Sequence, residues 1–392
     1  MRRFFLAVLT AFLIGVLAAC GAPAEGGPTA PAEPPAEESP AKEPEAPPST
    51  EPEAPVDPME RLLSSMTLEE KVGQLFFVRV PADSAVEDVG TYHLGGYILF
   101  GRDTQDRTAN DLIQTIQRYQ DAAAIPLLIG VDEEGGTVVR VSSNPHLRAS
   151  KFKSPQKLSA SGGMEAITAD THEKDVLLHA LGFNVNLAPV ADVSTSAGDF
   201  IYSRSFGQNA SATADYVAQV TARMTADGMS SVLKHFPGYG NNVDTHTGIA
   251  VDQRPLETFE TSDFLPFQAG IQAGGKQTAV LVSHNIMTCV DDALPASLSP
   301  AVHEILRGGL GFDGVVMTDD LAMDAVAAYA KDGAVAVMAL EAGNDLIITT
   351  DYRTQIPKVI EAVESGVLEE PVIDAACLRV LRWKSALGLL TE

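Results

Sequence analysis

Eight short apolar runs constrain the fold of this chain more than any other feature. They are QLFFVRV (74–80), GGYILF (95–100), PLLIGVD (126–132), NVNLAPV (184–190), SSVLKHF (230–236), AVLVSH (279–284), GVVMTDD (314–320) and DLIITT (345–350). Their interiors are mostly continuous apolar residues, as in parallel strands buried on both faces. Stretches with helical spacing lie between most of them. Examples are TANDLIQTIQRYQDAAA (108–124) and SATADYVAQVTARMTADG (211–228), the second with a Ser cap at its start and Gly at its end. Strand-then-helix repeated eight times predicts an α/β fold, a single (β/α)8 barrel. An open doubly wound sheet is the alternative, but no GxGxxG or P-loop supports a nucleotide-binding version of it.

Barrels of this kind carry their reactive groups at the carboxyl ends of strands. Here Asp132 ends the third run, Lys234 and His235 lie near the end of the fifth, His284 ends the sixth and Asp319 lies near the end of the seventh. Side-chain alternation sends one of Asp319 and Asp320 to the mouth. Asp320 suits a cap for the helical LAMDAVAAYA that follows, leaving Asp319, ionised beside Lys234, as nucleophile or metal ligand. Asp244 and His246 sit two apart in a loop rich in Gly and Asn. There the carboxylate can fix the imidazole tautomer and free the other ring nitrogen for proton transfer. A solvated turn is the other reading of that pair.

The two ends of the chain differ in kind. MRR followed by FFLAVLTAFLIGVL has the layout of an export signal, too short for a comfortable membrane span. It runs into Leu17-Ala18-Ala19-Cys20-Gly21, which resembles a bacterial lipobox. The expectation is a signal peptide over 1–19, a lipidated Cys20 opening a linker over 20–58, and a catalytic domain over 59–392. Residues 21–58 hold 12 of the 24 prolines and nine acidic residues against one Lys, so they cannot bury enough surface to fold alone. A lipid anchor at Cys20 would place the protein on an extracytoplasmic membrane face. The formal net charge of −25 argues against nucleic-acid partners, which need clustered cations. Cys289 and Cys377 are expected to be buried free thiols.

The segment KHFPGYGNNVDTHTGIA (234–250) resembles the signature of glycoside hydrolase family 3, in its β-N-acetylglucosaminidase branch. Further motifs follow in the family's order: MTLEEKVGQL, VDEEGGTVVR, LGFNVNLAPVADV, RSFG, FDGVVMTDDLAM and CLRVLRWKSALGLL. The resemblance implies a (β/α)8 barrel and a retaining mechanism, with Asp319 as nucleophile and His246, backed by Asp244, as acid/base. It implies sugar contacts from Asp132, Arg140, Arg204, Lys234 and His235. An ion pair of purely structural purpose is the other reading of Arg204. The Gly- and Asn-rich loop suggests that His246 swings in when substrate binds. Tyr239 departs from the pattern, which usually has His there.

The implied activity is removal of terminal GlcNAc from peptidoglycan fragments (muropeptides) or chitin oligomers. No cofactor and no metal are expected, and a monomer is. Three rivals stand beside this reading. One is a glycoside phosphorylase using the same residues. Another is a metal-dependent hydrolase with Asp132, His235, His246 and Asp319 as ligands. The third is a non-catalytic cell-wall-binding lipoprotein.

Overall fold

The computed structural model describes residues 57–242, 250–323, 326, 329 and 334–390. The chain divides into two units, Met1–Ala54 and Pro55–Glu392. The first lies outside the described residues, so Cys20 and most of the linker do too.

The second unit is the expected barrel. Its eight parallel strands are Phe76–Arg79, Gly96–Leu99, Leu128–Val131, Val185–Asn186, Ser230–Phe236, Thr278–Val282, Val316–Thr318 and Ile347–Thr349. Seven fall within one of the eight apolar runs, and the sixth begins one residue before its run, at Thr278. Neighbours in sequence pair in space, and the eighth strand pairs with the first through Phe76 and Ile347. A parallel bridge from Met317 to Leu346 joins the seventh strand to the eighth and closes the ring. Closure leaves no sheet edge unpaired, which accounts for strands apolar along their whole length.

The barrel interior shows why the strands contain glycine where they do. Phe77, on the first strand, fills the space in front of its neighbours. A Cβ on Gly130 would lie 2.4 Å from the Phe77 ring, and one on Gly96 2.8 Å from it. Two residues further along the first and third strands, on the same side, stand Arg79 and Asp132. The apolar layer thus supports a polar one at the mouth.

The outer helices begin and end by local chemistry. Ala109–Ala122 starts with a reciprocal capping box between Thr108 and Asp111, and buries Leu112, Thr115, Ile116 and Tyr119. Ala210–Asp227 ends at Gly228, whose φ of 79° is left-handed. Its cap is Asn209 and not Ser211. Asn209 is extended and accepts from Ala212 N at 3.0 Å, whereas Ser211 already lies inside the helix. The last helix, Glu370–Ala386, packs against the helices Pro58–Ser65 and Leu68–Gln74.

Candidate active site

The cavity at the carboxyl ends of the strands has a volume of about 590 Å³, and Asp132, Arg140, Arg204, Lys234, His235 and Asp319 line it. These are all the expected site residues that fall among the described ones. Asp244 and His246 lie outside them.

The floor of the cavity is a buried chain of charges. Lys234 Nζ lies 2.6 Å from Asp132 Oδ1 and 2.6 Å from Glu134 Oε1. Glu134 also takes a bidentate pair from Arg204, at 3.0 Å from Nε and 2.7 Å from Nη2. Arg204 Nη2 then reaches His235 Nε2 at 3.1 Å, and His235 Nδ1 meets Asp192 Oδ2 at 2.7 Å. A guanidinium can only donate, so Nε2 of His235 accepts and Nδ1 carries the hydrogen that Asp192 receives. Burial alone would push Glu134 up, but Arg204 and Lys234 hold its carboxyl far below the usual range. Burial would likewise pull Lys234 down, yet Asp132 and Glu134 outweigh it and raise it. Glu134 and Lys234 are therefore held in their charged forms, and His235 in one tautomer, before any ligand arrives.

The VDEEGG segment builds most of this floor, and its two glutamates divide the work. Glu134 turns to Lys234 and Arg204. Glu133 turns the other way, fully buried, and accepts from the backbone of Arg140 and Val141 at 2.8 and 2.7 Å. It thereby holds Arg140 at the rim. Gly135 permits the turn that follows them. Its φ is 98°, and a Cβ there would sit 2.3 Å from the Lys153 carbonyl oxygen. The Lys234–His235 peptide is cis, and both side chains line the cavity.

Asp319 stands on the opposite wall, at the end of the seventh strand. Its N–H bonds to Val282 O at 3.0 Å, and its Oδ1 accepts from Asp320 N at 2.8 Å. Asp320 does accept from Ala322 N at 3.0 Å, as a cap would. It nevertheless lines the cavity as well, so both carboxylates reach the mouth and the expected either-or fails. The backbone bends after Thr318, where the strand ends, and alternation no longer applies. Asp319 and Lys234 line the same cavity, but the ion-pair partners of Lys234 are Asp132 and Glu134.

Two other expectations change. His284 is fully buried and does not line the cavity; its ring bonds to Ser297 Oγ at 2.7 Å and to the Asp320 carbonyl at 3.1 Å. It is a brace behind the seventh-strand turn. Cys377 is buried, but Cys289 is exposed, and both are free thiols.

The loop that leaves the fifth strand is anchored at both stems. Tyr239 N donates to Asp192 Oδ1 at 2.7 Å, and its ring meets Phe200 and His235 edge-on at 4.9 and 5.0 Å. Tyr239 thus packs over the very imidazole that Asp192 fixes. On the far stem Arg254 pairs with Asp252 at 2.7 Å and Asp263 at 3.0 Å, and its Nη2 donates to Gly238 O at 3.2 Å. Asn242 donates to the same Asp252 at 2.6 Å. Burial pushes Asp263 up to about 6 although Arg254 opposes it.

Sequence reasoning missed Glu134, Asp192 and Arg79. The first two carried a signal, each being a carboxylate inside an apolar or Gly-rich motif quoted above. Arg79 carried one too, as a lone cation at the end of FFVR. Among the described residues, no cluster of three or more His, Cys, Asp or Glu side chains could hold a metal ion.

A barrel whose mouth sets a carboxylate across from a prearranged, ion-paired floor of donors and acceptors belongs to the class of enzymes that handle polyhydroxylated substrates. The chain is a member of glycosyl hydrolase family 3: residues 67–383 match the N-terminal domain of that family. It is 33% identical over 266 residues to a β-hexosaminidase of Xylella fastidiosa, covering 65% of this chain and 76% of that one. It is 29% identical over 327 residues to the β-hexosaminidase LpqI of Mycobacterium tuberculosis, covering 80% and 82%. Among solved structures, a family 3 β-N-acetylglucosaminidase from a Paenibacillus species superposes with a TM-score of 0.77 at 32% identity. That match covers 83% of this chain but only 63% of the Paenibacillus chain. The M. tuberculosis LpqI structure superposes with a TM-score of 0.74 at 27% identity, covering 82% and 95%.

Proposed function

We propose that the protein is a retaining exo-β-N-acetylglucosaminidase acting on peptidoglycan fragments or chitin oligomers. The carrying observation is the buried chain Asp132–Lys234–Glu134–Arg204–His235–Asp192 facing Asp319 across one cavity. Asp132 accepts from sugar hydroxyls, and Arg140, Arg204 and Lys234 donate to them. Because Glu134 and Asp192 already hold these groups, little reorganisation accompanies binding.

Asp319 attacks the anomeric carbon while His246 protonates the departing oxygen. Water then attacks the glycosyl-Asp319 ester with His246 as base, and Asp244 orients the imidazole throughout. In the same reading residues 1–19 are a signal peptide, Cys20 is lipidated, residues 20–58 are a tether and residues 59–392 form the catalytic domain. The protein would then work as a monomer at the extracytoplasmic face of a membrane.

The test is to trap the intermediate. A 5-fluoro-GlcNAc fluoride incubated with the enzyme should add one fluorinated HexNAc to the peptide bearing Asp319, read by mass spectrometry. Asp319→Asn should show no adduct and no turnover of aryl β-GlcNAc. An adduct elsewhere, or full activity in that variant, would sink the assignment. Release of GlcNAc 1-phosphate when phosphate is added would favour a phosphorylase instead.

A further inference from the structure

Arg254 is not among the residues lining the cavity, yet its guanidinium holds the base of the loop that leaves the fifth strand. Nε donates to Asp252 Oδ1 at 3.0 Å, and Nη1 donates to both oxygens of Asp263 at 3.0 and 3.1 Å. Nη2 donates to Asp252 Oδ2 at 2.7 Å and to the Gly238 carbonyl at 3.2 Å. Both carboxylates are buried, and the guanidinium carbon sits 4.4 Å from the centroid of the Phe259 ring. All three nitrogens are engaged within the protein. A planar fork set between two dry carboxylates and an aromatic face is held in one orientation.

The near stem of the loop is built around this fork. Gly238 and Gly240 have φ values of 113° and 53°, both left-handed. A Cβ on Gly240 would run into the Arg254 guanidinium, and one on Gly238 would lie 2.7 Å from Asp263 Oδ1. The two glycines of PGYG thus stand where the backbone passes directly over the Arg254–Asp263 pair. The far stem, Val251–Asp252, is tied elsewhere, to Ile286–Met287 beyond the sixth strand. Thr288 adds two bonds to the Asp252 carbonyl, from N at 3.0 Å and from Oγ1 at 2.8 Å. Among the described residues, two contacts then join stem to stem. One is Arg254 Nη2 to Gly238 O, and the other is Asn242 Nδ2 to Asp252 Oδ2 at 2.6 Å. In sequence, Asp244 and His246 lie between the two stems.

We propose that Arg254 is a positioning residue for proton transfer: by holding the two stems in one register, it fixes the ends of the segment that carries the acid/base pair. This rests on the glycosidase reading above, in which His246 protonates the departing oxygen. Proton transfer needs its heavy atoms within about 3 Å of each other. A stem displaced by about 1 Å therefore costs the acid much of its effect. The nucleophile, Asp319, stands on the seventh strand and is not held by this clamp.

The test compares dinitrophenyl and phenyl β-N-acetylglucosaminides. Dinitrophenolate departs without a proton at neutral pH, whereas phenolate needs one. Arg254→Lys keeps a cation between Asp252 and Asp263 but cannot fork to Gly238. It should lower kcat/KM for the phenyl compound about tenfold more than for the dinitrophenyl compound. Asn242→Ala removes the other cross-tie and strands no charge, since Asp252 keeps Arg254. It should move the ratio in the same direction by about threefold. A ratio is read, so a general loss of activity or of folded protein does not imitate the result. If Arg254→Lys yields no folded protein, Asn242→Ala decides alone. Equal losses on both compounds, or a ratio unchanged from wild type, would make Arg254 a structural brace only, overturning the proposal and leaving the glycosidase standing. Turnover of neither compound by the wild type overturns both.

Discussion

Two lysines in this barrel are fully buried, and they have opposite electrostatic fates. Lys234, at the mouth, lies against two carboxylates at 2.6 Å each, and its pKa is raised. Lys384, near the opposite end of the molecule on the last helix, has one neutral partner, Gln74 Oε1 at 2.6 Å. Burial pulls its pKa down to about 7. Burial is the same in both, so burial does not decide the charge; the carboxylates do. At the mouth the protein has spent three acidic side chains, Asp132, Glu134 and Asp192, to keep cations and an imidazole fixed in a dry place. On the Lys384 side no such expenditure was made, and the amine sits close to neutrality.

The largest effect that would break this comparison is at Lys234. Lys234→Met should lower kcat/KM by about 10³-fold or more, because it removes a donor and strands Asp132 and Glu134 without their shared cation. The folded state should weaken too, seen as a lower urea midpoint. Activity within tenfold of wild type would mean that the floor is a structural ion-pair cluster rather than a substrate site.

A smaller effect belongs at Asp192. Its two oxygens accept from His235 Nδ1, His235 N and Tyr239 N. Asp192→Asn puts an amide hydrogen against one of those N–H groups, so either the imidazole or the loop stem at Tyr239 loses its anchor. We expect kcat/KM to fall about 10- to 100-fold, since the imidazole is then free to change tautomer. Lost stability with unchanged kcat/KM would reduce Asp192 to packing.

The same contrast explains what could be read from residues alone. Strands are legible because a closed parallel barrel buries both faces, so the eight apolar runs and the eight strands coincide. Residues at strand ends, such as Asp132, Lys234 and Asp319, stand out because a charge interrupts an apolar run. Their partners do not stand out. Glu134 lies 100 residues from Lys234 in sequence and 70 from Arg204, and nothing local in EEGG says which of its two carboxylates turns inward. His284 looked like Lys234 and His235, ending a strand, but its ring is consumed by Ser297 and a backbone carbonyl. Tyr239 departs from the resembled pattern, and its place shows only in space, where its ring meets His235 and Phe200. The proposed acid/base pair, Asp244 and His246, lies outside the described residues, so its role rests on the resemblance alone.

The last prediction concerns Lys384, where the effect is on stability and not on catalysis. Its folded pKa of about 7 lies below the 10.5 of a free lysine. Below pH 7 both folded and unfolded chains hold the proton, and folding must bury a charge at full cost. Between about pH 7 and 10.5 the unfolded chain still binds a proton that the folded chain has released, so stability rises with pH through this window. Above 10.5 the amine is neutral in both states and the contribution is complete. Lys384→Met removes the amine and keeps most of its volume. Near pH 7 it should be more stable than wild type by on the order of 2 kcal/mol, less whatever the Gln74 bond contributed. The variant's advantage should shrink steadily towards pH 10, measured as the difference between urea unfolding curves. Other groups that titrate there cancel in that difference. Turnover of a neutral aryl β-GlcNAc should stay near wild type, since Lys384 is not among the residues lining the cavity. A constant gap between the two proteins across the window would show that Lys384 is charged after all, and that the neighbourhood of Gln74 supplies a counter-charge as the mouth does for Lys234.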